Sequence, residues 1–260
     1  SDHETIVAFQ KIKQPETNLI TMFGGFHIFD GNGHDIAKNL TPKQLELLSL
    51  VAIFSFNGRN QGIEFEKIDK LLWSDSPAEN LRGNRNALLS KTRAVLKSVE
   101  GVSLNVHHTS VELSMEDKYA NEIKSYFMLK RYFSDKSQIK DGDSFNNFLK
   151  IVKRGKFLEN LPADWADKLR AEEESDIIRI VILFLNEVFS REEYVKCIET
   201  ADPVSIHDPL NEELLGFKVR SLYNLGRHSI ALEVYNTFCR EYESFFNEAF
   251  GTSFRDILKN

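Results

Sequence analysis

The sequence predicts an α+β unit followed by an all-α helical-repeat unit, and three observations carry that prediction. Residues 19–37 alternate apolar and polar side chains around Asp30-Gly31-Asn32-Gly33, the pattern of short strands joined by a tight turn. Three helical stretches follow, and then two short runs, 102–106 and 111–115, flank His107-His108-Thr109-Ser110 as a hairpin. From about Lys118 onward the apolar spacing is helical throughout.

The first helix is announced by its cap. Thr41 precedes Pro42, with Gln44 three residues after the cap, and apolar residues from Leu45 to Phe54 run until Asn57-Gly58. A second helix is expected over about Phe65–Leu72, with Ile68, Leu71 and Leu72 inward. Trp73 then leads into the turn cluster Ser74-Asp75-Ser76-Pro77. The third helix, 80–98, is the most distinctive stretch. From Leu81 to Val99 it holds Arg82, Arg85, Lys91, Arg93 and Lys97 and no acidic residue, in a chain of net charge -6. At about 100° per residue, Arg82, Asn86, Leu89, Arg93 and Lys97 fall on one side, and Leu81, Leu88, Thr92, Val95, Leu96 and Val99 on another. The second stripe is expected to be buried. The first offers cations and an amide, the side chains that contact phosphates, guanine and adenine in a duplex. A solvated helix face ordinarily mixes both signs of charge, and this one does not. Strands, three helices and a hairpin, in that order over residues 19–116, make a winged helix, whose third helix enters the major groove while the hairpin lies over the flanking backbone.

The second half, 117–260, carries a weak internal repeat. Shifted by 34 residues, Leu185 falls on Val219, Val188 on Leu222, Phe189 on Tyr223, Cys197 on Ala231, Ile198 on Leu232 and Ala201 on Tyr235. That is the period of tetratricopeptide helix pairs, with Gly226 at a turn, Pro209 where a repeat ends, and 119–158 as a further, irregular pair. Stacked pairs build a concave surface for proteins or peptides.

Bulk properties set the class. A length of 260 residues suits two domains, and 42% hydrophobic with 28% charged residues is ordinary for a soluble globular protein. The longest apolar run, Ile177–Leu185, is half a membrane span and contains Arg179, so no membrane contact is expected within this chain. No secretory signal opens it. Two distant cysteines without a CxxC predict reduced thiols and a cytoplasmic setting. The start at Ser1 marks residues 1–18 as a linker or a fragment of a longer chain, which could be membrane-tethered upstream. Residues 1–115 hold 12 Lys+Arg against 13 Asp+Glu, and the remainder 21 against 26, so the acidic excess sits in the second half.

Other constellations read as structure. His107 and His108 are adjacent in a strand-flanked turn and point apart, which suits exposed residues rather than metal ligands. Asp30 and Asp35 lack the rest of a calcium loop. Glu172-Glu173-Glu174 reads as a solvated helix face, and Trp165 with the 20 phenylalanines as core. No nucleophile elbow, zinc spacing, dinucleotide fingerprint or GxxxxGK[ST] occurs, so no enzyme activity, cofactor, metal or small-molecule substrate is expected.

Both halves, in this order, resemble the bacterial antibiotic-regulatory-protein (SARP) activators, which join an OmpR-like winged helix to a bacterial transcriptional activation domain of tetratricopeptide-like helices. The resemblance rests on Phe23-Gly24-Gly25-Phe26 with Asp30 and Gly31; Leu40-Thr41-Pro42-Lys43-Gln44; Leu71-Leu72-Trp73; Leu88 to Leu96; Gly155-Lys156-Phe157-Leu158; Asp164-Trp165; the 208–213 stretch DPLNEE; and Leu222 to Arg227. It spans roughly 19–258, and the order of these segments is more specific than any one of them. It implies that Arg82, Arg85, Asn86, Ser90, Lys91 and Arg93 face double-stranded DNA and that His107 and His108 at the wing tip approach the minor groove; Lys97 joins them from the helical spacing. It also implies contacts with RNA polymerase and homo-oligomers on DNA. The wing departs from the family in lacking an arginine at its tip, and Gly83 loosens the start of the third helix by about 1 kcal/mol relative to alanine. The alternative is a protein-interaction module whose winged helix no longer binds DNA.

Overall fold

The computed structural model describes residues 18–58 and 61–259; the expectation for 1–18 therefore concerns a stretch that, Asn18 apart, lies outside the described residues. The chain divides into two units, residues 1–128 with 158–167, and residues 129–157 with 168–260. The first unit thus extends beyond the expected limit of 116. Strand β6 (Ala120–Asn121) explains part of this, because it pairs in parallel with β1 (Leu19–Thr21).

In the first unit β1 also pairs antiparallel with β2 (His27–Phe29), giving the order β2-β1-β6. The expected turn at Asp30–Gly33 is present, with Asp30 Oδ1 accepting from the amides of Asn32 and His34. It does not join the two strands. It follows β2 and leads into the isolated bridge Phe29–Asp35, while β1 and β2 are joined by the loop Met22–Phe26. That loop explains Gly24-Gly25. Gly25 has φ +113°, and a Cβ there would lie 2.8 Å from Asn160 Cγ. Asn160 uses the space: its Oδ1 accepts from the Phe26 amide at 2.9 Å and its Nδ2 donates to the Phe26 carbonyl at 3.3 Å. The Leu158 amide donates a further hydrogen bond to the Met22 carbonyl at 2.8 Å.

His27 Nδ1 meets Asp35 Oδ2 at 2.7 Å, and Nε2 lies 3.3 Å from the Gly24 carbonyl. The hydrogen bond to Asp35 raises the histidine pKa above its ordinary value against the opposing effect of burial. A group whose folded pKa is raised contributes stability that is present below the unfolded pKa, about 6.5, and is lost as pH rises through the folded one. Thermal melting at a series of pH values is expected to show a midpoint falling above pH 6.5, and His27→Gln to remove that part of the slope.

Helix α1 (Pro42–Phe56) carries the predicted capping box of Thr41 and Gln44 and ends at Asn57. Leu47 through Ile53 are all buried, so this helix is covered on every side and forms the centre of the unit. Around it stand α2 (Phe65–Leu72), α3 (Ala78–Leu96) and a second sheet of order β3-β5-β4, made by β3 (Ile63–Glu64), β4 (Val102–Val106) and β5 (Ser110–Met115). The Ser55 hydroxyl accepts the Leu113 amide at 2.9 Å, tying α1 to β5. Ile68 and Leu72 of α2 are buried as expected, while Leu71 is half-buried. Strand β3, only two residues long, is too short to leave an alternation in the sequence. Trp165 is half-buried, its indole N–H donating to Glu46 Oε1 at 2.9 Å.

The remaining helices are α4 (Glu122–Tyr132), α5 (Gly142–Val152), α6 (Asp164–Ser190), α7 (Tyr194–Val204), α8 (Glu212–Asn224), α9 (His228–Phe246) and α10 (Phe254–Lys259). In the second unit Phe145 stacks on Phe184 with centroids 3.5 Å apart, and Phe133 packs edge-on against both Phe145 and Phe148. The 34-residue correspondence holds at its core: Leu185, Val219, Val188, Leu222, Cys197 and Ala231 are all buried, and Gly226, at φ +74°, makes the turn from α8 to α9. It fails at Leu232, which is 45% exposed where Ile198 is half-buried, because α9 lays Ala231 against α8 and turns the next residue outward. The acidic triplet is also less solvated than expected. Glu173 is buried and meets Lys130 Nζ at 2.6 Å, with Asp176 at 2.7 Å from the same ammonium; Glu174 is half-buried and Glu172 exposed. Both cysteines are free thiols. Among the described residues no helix is long and apolar enough to cross a membrane.

Candidate nucleic-acid interface

Helix α3 begins directly after Pro77, whose extended backbone (ψ 141°) breaks the preceding turn, and runs to Leu96 with Lys97 at its C-cap. Its buried residues are Arg85, Leu88, Leu89, Thr92 and Leu96. These recur at three- and four-residue steps, so the seam is helical, but it is rotated from the expected one. Leu89, expected among the cations, is 4% exposed and belongs to the core. A leucine flanked by charges still takes the apolar side when the fold offers one, since its burial is worth about 2 kcal/mol.

Arg85 requires the larger correction. Its side chain is 10% exposed, its Nη1 is ion-paired to Asp69 Oδ2 of α2, and its guanidinium carbon stands 4.3 Å from the centre of the Phe65 ring. Burial raises the Asp69 pKa, with the arginine acting against that rise. Arg85 therefore joins α3 to α2 and does not face outward. The partner is sixteen residues away, so no i,i+4 inspection of the third helix could reveal it.

The other expected residues lie on the surface. Arg82, Asn86, Ser90, Lys91, Arg93 and Lys97 are exposed, and none of the four cations among them has an ion pair to a described carboxylate. Arg93 is also tied to the wing. Its Nε donates to the Leu104 carbonyl at 2.9 Å, anchoring the guanidinium between α3 and β4. Together α3 and β4 form a groove of about 840 Å³, lined by Asn86, Ser90, Arg93 and Lys97 on one wall and Ser103 and Asn105 on the other. Ser103 and Asn105 were missed in the sequence, although they are the outward positions of an alternation whose inward members, Val102 and Leu104, were read correctly. Asn105 is held by bonds from its amide to Ser114 Oγ at 3.0 Å and Glu112 Oε1 at 3.3 Å.

The wing is the expected hairpin. Val102–Val106 pairs with Val111–Met115 in register, and the His107 amide closes the tip on the Ser110 carbonyl at 2.9 Å. His107 and His108 are exposed, with His107 Nε2 3.5 Å from Glu112 Oε1.

Gly83 sits on the exposed first part of α3 with open space where a Cβ would go. Gly83→Ala is expected to stabilise the unit by about 0.5–1 kcal/mol, through helix propensity and reduced freedom of the unfolded chain. Urea denaturation followed by far-UV circular dichroism measures it.

The first unit is thus a winged helix with an exposed basic third helix, and paired helices follow it in the second. Residues 153–244 match the family model of the bacterial transcriptional activator domain. Among solved structures, Mycobacterium tuberculosis EmbR, in complex with a low-affinity phosphopeptide, shares the fold: TM-score 0.62 at 16% sequence identity, covering 94% of this chain and 64% of that one. The chain thus spans about 64% of the length of that relative. No curated protein matches the sequence significantly. The chain thus shares with EmbR a winged helix followed by a helical unit, and the helical unit carries the match to the bacterial transcriptional activator domain.

Proposed function

We propose that this chain is a sequence-specific DNA-binding transcriptional activator, in which α3 enters the major groove and the second unit contacts other proteins. The observation that carries the reading is that Arg82, Lys91, Arg93 and Lys97 are exposed and without described carboxylate partners, with Arg82, Arg93 and Lys97 on the same side of the helix as the amide of Asn86. Cations in that state lower their free energy by meeting phosphates and releasing counterions. The placement of Arg93 above a groove walled by Asn105 and Ser103 favours base reading at its centre and backbone contacts at Arg82, Lys91 and Lys97. The wing-tip histidines suit an approach to the flanking backbone.

For the second unit, Ile230, Leu232, Phe245 and Phe246 of α9 are exposed, an apolar display suited to a protein surface. RNA polymerase and a second copy on adjacent DNA are the partners this reading supplies. Selection of bound duplexes from a random pool, followed by fluorescence anisotropy across a salt series, tests the proposal. A recovered motif with affinity falling steeply as salt rises supports it. Failure to enrich any sequence, with binding insensitive to salt, leaves the protein-interaction module in its place.

A further inference from the structure

We propose that Arg220 in the second unit is the receptor for a carboxylate borne on a small apolar molecule. The sequence led to no expectation of a ligand here. Arg220 lies on α8, one turn after Gly216, and its guanidinium rests against that glycine: a Cβ at 216 would stand 3.4 Å from Nη2 and 3.6 Å from Cζ. The guanidinium carbon is 5.4 Å from the ring centre of Phe189 and 5.3 Å from that of Phe217. Its buried Nε has no hydrogen-bond partner, and no carboxylate pairs with it among the described residues. Burial alone lowers its pKa.

Folding ordinarily pairs a half-buried guanidinium, since an uncompensated charge is unfavourable away from water. A glycine inside a helix is unfavourable too. Here the two occur together, and they front a cavity of about 310 Å³ lined by Asn186, Phe217, Phe250, Thr252 and Ile257. That volume lies at the lower end for small-molecule sites. The rings and Ile257 suit an apolar body. The fork of the guanidinium matches a planar carboxylate. Glu212 and Glu213, both exposed, also line the cavity and disfavour an anion of higher charge, which selects a single carboxylate over a phosphate.

Benzoate, benzamide and inorganic phosphate are the probes, titrated into the full chain with thermal shift and amide chemical-shift mapping as readouts. Benzoate is expected to raise the melting temperature saturably and to move signals around 216–220 and 250–257. Benzamide and phosphate are expected to act at least tenfold more weakly. Arg220→Met is expected to abolish the benzoate response, its own melting temperature reflecting both the loss of an unpaired charge and the loss of the guanidinium from the Phe189 and Phe217 rings. Arg220→Lys, which keeps the charge without the fork, is expected to weaken the response at least threefold. No benzoate response in the parent chain overturns the proposal. So does an equal response to phosphate, or a benzoate response that survives Arg220→Met.

Discussion

Arg85→Ala is expected to destabilise the first unit by about 3 kcal/mol. The substitution leaves Asp69 nearly buried with no cation, and removing one member of a buried pair costs about 3–5 kcal/mol; the lower end applies because both side chains keep a little solvent contact, 10% and 13%. Loss of the guanidinium over Phe65 acts in the same direction. The double replacement Asp69→Leu with Arg85→Met is expected to recover most of the loss, since two apolar groups need no partner. Chemical denaturation of the parent, Asp69→Leu, Arg85→Met and the double variant closes the cycle and measures the coupling. Equal stability of parent and Arg85→Ala would remove the ion pair from the account of how α3 is seated. Under the proposed function, the double variant should also bind DNA with an unchanged salt slope, because Arg85 contacts no phosphate.

Arg93→Ala is expected to weaken DNA binding by about 1–3 kcal/mol at a selected site, the range for a bidentate base contact. Lys91→Ala and Lys97→Ala are expected to behave differently. Each should weaken specific and non-specific duplexes alike and lower the slope of log affinity against log salt by about 0.9, one phosphate's share. Arg93 also braces β4 through the Leu104 carbonyl, so Arg93→Lys provides the control. If the base-reading role is right, Arg93→Lys keeps most of the salt slope but relaxes sequence preference. Fluorescence anisotropy on matched and scrambled duplexes reads both quantities.

The parts of the fold legible in the sequence were those with local chemical causes. Thr41, Pro42 and Gln44 specify a helix start by bonds spanning three residues, and they make those bonds. The wing was legible because Val102, Leu104, Val111 and Leu113 alternate with polar neighbours, as a half-buried hairpin must. What escaped depends on partners distant along the chain. Arg85 looked like its basic neighbours until α2 brought Asp69 to it. The pairing of β6 with β1 spans about a hundred residues and leaves no periodicity. Gly24-Gly25 was noted as a motif, but its reason is a side chain at position 160. Helical periodicity likewise misjudged Leu89, because a 100° step fixes the order of residues around an axis but not which side the core occupies.

The clasp of Asn160 on Phe26 bears on how the gene can be dissected. Excision of the N-terminal lobe at residue 116, or even at 128, discards the loop that seals the Gly24-Gly25 bend and leaves two main-chain groups of Phe26 without their mates. Such a truncate should express poorly for reasons unrelated to nucleic acid. A graft of 158–167 onto its tail would be the sounder minimal fragment.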